Sequence, residues 1–124
     1  DWSRVMKTNG RLVLVLPNKE FTFDNKRPIT KLSHLIEDFE NHITEEDSTH
    51  FDEVITLHDF KQDAFVQSKE DLIKRTSLNI KNRAVHHHVF DLALIKELLL
   101  YCGFEMIHQQ TYPPFHLVSV AEKK

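Results

Sequence analysis

Residues 8–18 read TNGRLVLVLPN. The apolar run Leu12, Val13, Leu14, Val15 and Leu16 lies between the turn signal Asn9-Gly10 and the breaker Pro17-Asn18. A strand with one wet face alternates apolar and polar side chains. An unbroken run rich in branched residues predicts a strand buried on both faces. Such a strand needs sheet neighbours beside it and covering layers above and below, so the fold turns on what supplies them.

Upstream, Trp2, Val5 and Met6 have helical spacing. They predict an amphipathic helix with Asp1 at or inside its start, so the chain is expected to open part-way through an architecture. Downstream, KEFTFDNKRP is a loop. Thr30 is the expected N-cap of a helix over 31–41 whose apolar face is Leu32, Leu35, Ile36 and Phe39. Ser48 is expected to cap a short helix through Ile55, with Phe51, Val54 and Ile55 turned inward. Ser68 with Asp71 resembles a capping box ahead of a helix over 69–78. Asp91 caps LALIKELLLYC, and Gly103 is a suitable C′ residue followed by the apolar Phe104. The stripe Leu94, Leu98 and Tyr101 is expected in the core, with Cys102 on a buried face. FEMIHQQTY and FHLVSVAEK flank Tyr112-Pro113-Pro114 and predict an antiparallel hairpin. The hairpin can serve one side of the first strand; the other side stays open and could pair with a second copy of the chain.

Composition narrows the function. The 124 residues are 40% hydrophobic and 28% charged, which fits one globular domain. Net charge is −3, against the basic face of a dedicated nucleic-acid binder. No apolar run is long enough to cross a bilayer, and no signal peptide is visible. A single cysteine excludes an internal disulfide and predicts a cytoplasmic location. The two glycines, Gly10 and Gly103, cannot make a G-x-G-x-x-G or Walker loop.

Several of these stretches resemble one family. SRVMKTNGRLVLVLPN is similar to the segment of class I S-adenosylmethionine-dependent methyltransferases where a helix ending R-V-L-K-P-G-G leads into the fifth strand. Arg4-Val5-Met6-Lys7 and Gly10 match, while Thr8 and Asn9 replace the usual Pro and Gly. HVFDLALIKELLLYCGFEMIHQQ resembles the helix and sixth strand of that fold, and the terminal hairpin its sixth and seventh strands. FTFDNKRPITKLSHLIEDF, HFDEV and HHHVF resemble a bacterial subset found with glycan and polysaccharide assembly proteins, with patterns T-F-D-x-x-R-x-x-T and H-x-H-V-aromatic.

The resemblance implies an α/β fold: the C-terminal part of a Rossmann-like methyltransferase sheet, with one buried strand, a helical insert over about 28–83, a helix and an antiparallel C-terminal hairpin. Residues 1–124 would be the substrate-side half of the domain. The upstream half that binds S-adenosylmethionine is expected to be absent, no residue of this chain is assigned to the cofactor, and the piece alone is expected to be inactive. The implied activity is methyl transfer to a small-molecule or glycan-linked acceptor. The alternatives are a non-catalytic oligomerising module and a His-rich metal-binding domain.

AVHHHVF, residues 84–90, carries the candidate chemistry. On an extended segment His86 and His88 share one face and His87 takes the other. His86, His88 or His50 is the expected base for an acceptor hydroxyl, oriented by Asp24, His50 or Glu53. Asp24, Arg27, His34 and Glu53 are expected at the acceptor, with Arg27 clamping a phosphate or carboxylate; the equal alternative for Asp24 and Arg27 is a loop salt bridge. His50 and Glu53 would share a helical face. The competing expectation is that these histidines are structural, bonded to backbone. No metal ligand is assigned: a metal would require His86 and His88 together with distant residues such as His34, His50 or Asp24.

Overall fold

A computed structural model describes residues 2–124, so the expectation for Asp1 lies outside the described residues. The helices are α1 (Trp2–Val5), α2 (Leu32–Glu40), α3 (Phe51–Leu57), α4 (Lys69–Ser77), α5 (Asn79–Asn82) and α6 (Leu92–Tyr101). The strands are β1 (Arg11–Pro17), β2 (Phe104–Tyr112) and β3 (His116–Lys123). The chain divides into two compact units, one of residues 2–18 with 90–124 and the other Lys19–Val89. The second unit is wider than the insert expected over 28–83.

The first unit holds a mixed α/β core. Its sheet has the order β1-β3-β2, with β3 antiparallel to both neighbours. β1 and β2 therefore run in the same direction, and β3 returns between them. Leu12, Leu14 and Leu16 stand opposite Ala121, Ser119 and Leu117, so one face of the sheet carries these six side chains. α6 covers that face through Ile95 and Leu99, which pack with Phe104, Leu117 and Ala121. Each such large side chain contributes about 1.5–3 kcal/mol on leaving water.

β2 keeps its apolar phase by an irregularity. Phe104 and Met106 face inward, and a register shift between Met106 and His108 then moves the inward phase to Gln109 and Thr111. The extra residue lets Gln109 reach Ser119, which is fully buried. Gln109 Nε2 donates to Ser119 Oγ at 3.0 Å and to the Leu92 carbonyl at 2.9 Å, joining the sheet centre to the start of α6.

Asp91 Oδ1 accepts from Leu94 N at 2.7 Å, as its N-cap position predicts, and Gly103 ends the helix region at φ +82°. Two expectations for this unit are corrected. β1 is covered on one face only: Val13 and Val15 are 62% and 51% exposed, while α6 packs on the face that carries Leu12, Leu14 and Leu16. β1 also has β3 on one side and, among the described residues, no strand on the other. In the stripe Leu94, Leu98 and Tyr101, Leu94 is buried but Tyr101 is exposed, and Cys102, just past the helix, is exposed too. The face that the helix buries is set by Leu94, Ile95 and Leu99.

In the second unit, Ser68 Oγ accepts from Asp71 N at 3.1 Å and starts α4, as the sequence predicts. Thr30 does not cap α2. Its hydroxyl accepts from Val89 N and its own N–H donates to Val89 O, while α2 begins after Lys31 with no side-chain cap. α3 begins at Phe51, with His50 rather than Ser48 at the N-cap position. No helix among the described residues is long and apolar enough to cross a membrane.

Ile95→Ala should lower stability by about 2–5 kcal/mol in urea unfolding, whereas Tyr101→Ala should change it by no more than about 0.5 kcal/mol.

Candidate functional site

The expected site residues all fall in the second unit, and one buried arginine organises them. Arg27 is 2% exposed. Its Nε donates to Glu53 Oε1 at 2.8 Å and its Nη1 to Asp24 Oδ1 at 2.8 Å. Nη1 also meets the His86 carbonyl at 2.7 Å, and Nη2 meets the His87 carbonyl at 2.9 Å. A guanidinium has five N–H groups in a rigid fork, and here four contacts satisfy two carboxylates and two backbone oxygens. Arg27 was expected either to clamp an acidic group on an acceptor or to form a loop salt bridge, and it pairs with Asp24 and Glu53. Its burial turns that fork to internal partners instead.

The same contacts explain why 84–90 is not a strand. Val85 N donates to Asn79 Oδ1 at 2.9 Å. The carbonyls of His86 and His87 are taken by Arg27, and Val89 is paired in both directions with Thr30. Side chains and one loop residue thus satisfy backbone groups that a sheet would otherwise pair. His87 and His88 lie in a bend, so strict alternation fails and the three imidazoles enter three surroundings.

His86 turns to Asp24. Its Nδ1 lies 2.6 Å from Asp24 Oδ2, and its ring stacks on Phe23 at a centroid distance of 5.1 Å. Asp24 is 3% exposed. Burial alone would raise its carboxyl, but His86 and Arg27 hold it below the ordinary value of 3.8. A charged Asp24 can only accept, so His86 Nδ1 carries the donated proton, and in the neutral tautomer the lone pair lies on Nε2. The His86 side chain is partly open to solvent, while Asp24 behind it is closed. This is the arrangement of an oriented general base.

His87 turns to Asn79. Asn79 Nδ2 lies 3.1 Å from His87 Nε2, which makes that nitrogen an acceptor. Burial, helped by His88 and Arg27, lowers the ring below 6.5 against the pull of Asp47 and Asp38.

His88 joins a third group. Its Nε2 is 2.8 Å from Asp38 Oδ2. His34 and Asp38, at i and i+4, share one face of α2, and His34 Nε2 is 3.5 Å from Asp38 Oδ2. His50 Nε2 is 3.3 Å from His34 Nε2 and 4.0 Å from Asp38 Oδ2. One donor atom from each of His34, Asp38, His50 and His88 lies within 4.8 Å of the others. Burial, then the nearby His88 and His34, lowers His50 below 6.5 despite Asp47 and Asp38. These four residues have the donors to hold a metal. His86, expected to face the same way as His88, belongs to the Asp24 pair instead.

Glu53 and His50 do not act together, since Glu53 goes to Arg27 and His50 to His34. Sequence reasoning missed Asp38 and His58. The i,i+4 spacing of His34 and Asp38 on the helix expected over 31–41 was the available signal for the first. His58 had none: it stacks on Phe23 at 5.0 Å and edges Phe60 at 4.8 Å, contacts set by tertiary packing. Its Nε2 is 3.1 Å from Asp63 Oδ2, but neither ring nitrogen makes a well-aligned hydrogen bond. Burial lowers His58 below 6.5 although Asp63, Asp24 and Asp59 pull the other way.

The sequence matches no family model, no curated protein and no solved structure.

Two outcomes follow from the buried groups. Arg27→Met strands two carboxylates and two carbonyls and should cost about 3–5 kcal/mol in denaturant unfolding. The folded value of His58 lies below its ordinary 6.5. Its contribution to stability is therefore intact above pH 6.5 and is lost as pH falls below it, where the unfolded chain takes up a proton that the folded chain resists. Between about pH 7.5 and about pH 5.5, urea unfolding of His58→Phe should show a smaller loss of stability than wild type.

Proposed function

We propose that this chain is the acceptor-side part of a class I S-adenosylmethionine-dependent methyltransferase acting on a hydroxyl of a small-molecule or glycan-linked acceptor. The observation that carries the reading is the sheet order β1-β3-β2 with the middle strand antiparallel. The reading gives β1, α6, β2 and β3 the parts of the fifth strand, the helix after the insert, and the sixth and seventh strands. The bare Val13 and Val15 and the open side of β1 support it, since a strand of a larger sheet would have such surfaces covered.

The residues of this chain do not fit the cofactor. A Cβ at Gly10 would stand 2.8 Å from the Lys7 carbonyl, so that glycine serves a tight turn. Gly103 ends a helix at positive φ. Neither forms a cradle for a nucleoside. The chain's own contribution is on the acceptor side. His86, held by Asp24 through Nδ1, takes the acceptor's hydroxyl proton at Nε2 as that oxygen becomes the nucleophile. Phe23 supports the ring on its flat side. Asp24 in turn is fixed by Arg27.

The test uses the protein as its gene encodes it, with labelled S-adenosylmethionine and hydroxyl-bearing glycan acceptors. Label should pass to an acceptor, and His86→Gln should slow the transfer by about 10²–10⁴-fold while circular dichroism stays unchanged. Absence of S-adenosylmethionine binding by calorimetry, or full transfer by His86→Gln, would contradict the reading.

A further inference from the structure

We infer that His34, Asp38, His50 and His88 form a site for one divalent first-row transition metal, zinc above all, held by three imidazole Nε2 atoms and one carboxylate oxygen.

The donor spacing is the first argument. Around a tetrahedral ion with bonds of about 2.0–2.1 Å, neighbouring donors stand about 3.3 Å apart. The separations here are 3.3 Å for His34 to His50, 3.5 Å for His34 to Asp38, 2.8 Å for His88 to Asp38 and 4.0 Å for His50 to Asp38. They straddle the value that the ion would impose. All four donor atoms lie within 4.8 Å of one another.

Ring orientation is the second. The His34–His50, His34–His88 and His50–His88 planes meet at 71°, 73° and 74°. None of these pairs is stacked. His34 and His50 point the same atom, Nε2, at each other, and Nε2 of His88 points at the carboxylate that both approach. Two neutral imidazoles can share one proton between facing nitrogens, and His88 Nε2 brings a third imidazole to the Asp38 carboxylate that they approach. A cation resolves all four at once.

The scaffold is the third. His34 and Asp38 are one turn apart on α2, the spacing by which a helix offers two ligands from one face. His50 stands immediately before α3, and His88 follows the two carbonyls held by Arg27. Three separate segments are thus brought to one point by elements fixed independently of the site. The donor set of three imidazoles and one carboxylate suits zinc, and the same set accepts Co²⁺ as a spectroscopic stand-in. The site is separate from the Asp24–His86 pair, so its test does not depend on methyl transfer.

Chelator-treated protein is titrated with Co²⁺ and, by calorimetry, with Zn²⁺. The expected result is one ion per chain, the visible d–d absorption of tetrahedral Co²⁺, and a thermal midpoint raised by Zn²⁺. Asp38→Asn and His50→Gln should each weaken Co²⁺ binding by at least about tenfold, and Glu37→Gln, on the exposed side of α2, should leave it unchanged. His34→Gln provides a variant at the most exposed ligand, 39% open at the side chain, should the others fail to fold. Binding below one ion per chain, a spectrum like that of hydrated Co²⁺, or equal affinity in folded His34→Gln would overturn the inference.

Discussion

The buried guanidinium of Arg27 is the constraint on which the second unit depends. A charge taken out of water is costly unless every N–H finds an acceptor and a counter-charge stands close. Asp24 and Glu53 supply the charge, and the carbonyls of His86 and His87 complete the shell. The cost of leaving any of these groups alone ties the loop after β1, helix α3 and the histidine segment into one arrangement. Arg27 thus contributes conformational definition as much as net stability, because it determines which way each imidazole leaves the backbone.

That determination is what makes three consecutive histidines chemically different. His86 meets a carboxylate at Nδ1. His87 receives an amide donor and packs as a neutral ring. His88 crosses to Asp38, His34 and His50. Neutral imidazole is what a metal ligand needs, and burial favours it at His50.

The fold was legible where local chemistry decides it. β1, α6 with its Asp91 cap, the Ser68 cap and the terminal hairpin all follow from periodicity and turn residues close in sequence. The covering of β1 was not legible, because a run such as Leu12 to Leu16 states what the strand tolerates on its second face, not what packs there; Val13 and Val15 stand exposed. Thr30 misled for a similar reason. A hydroxyl ahead of a helix predicts a cap, but the distant Val89 N–H competes for it and wins. At the site, the residue types were readable and the pairings were not. Alternation along HHH assumed a strand, and it failed because Arg27, Asn79 and Thr30 replaced sheet partners with side-chain and loop partners. Asp38 was hidden among the acidic residues of an ordinary amphipathic helix, and only the approach of His50 and His88 gives it a role.

The central claim is that Arg27 sends His86 and His88 to different partners, one for a proton and one for a metal. Anomalous diffraction at the zinc edge from crystals grown with Zn²⁺ tests it directly. The account predicts a single strong peak bonded to Nε2 of His34, His50 and His88 and to Asp38, with His86 Nδ1 still on Asp24 and Arg27 still on the two carbonyls. A peak shared by His86 and His88, or His86 swung away from an Asp24 that has taken the metal, would contradict it.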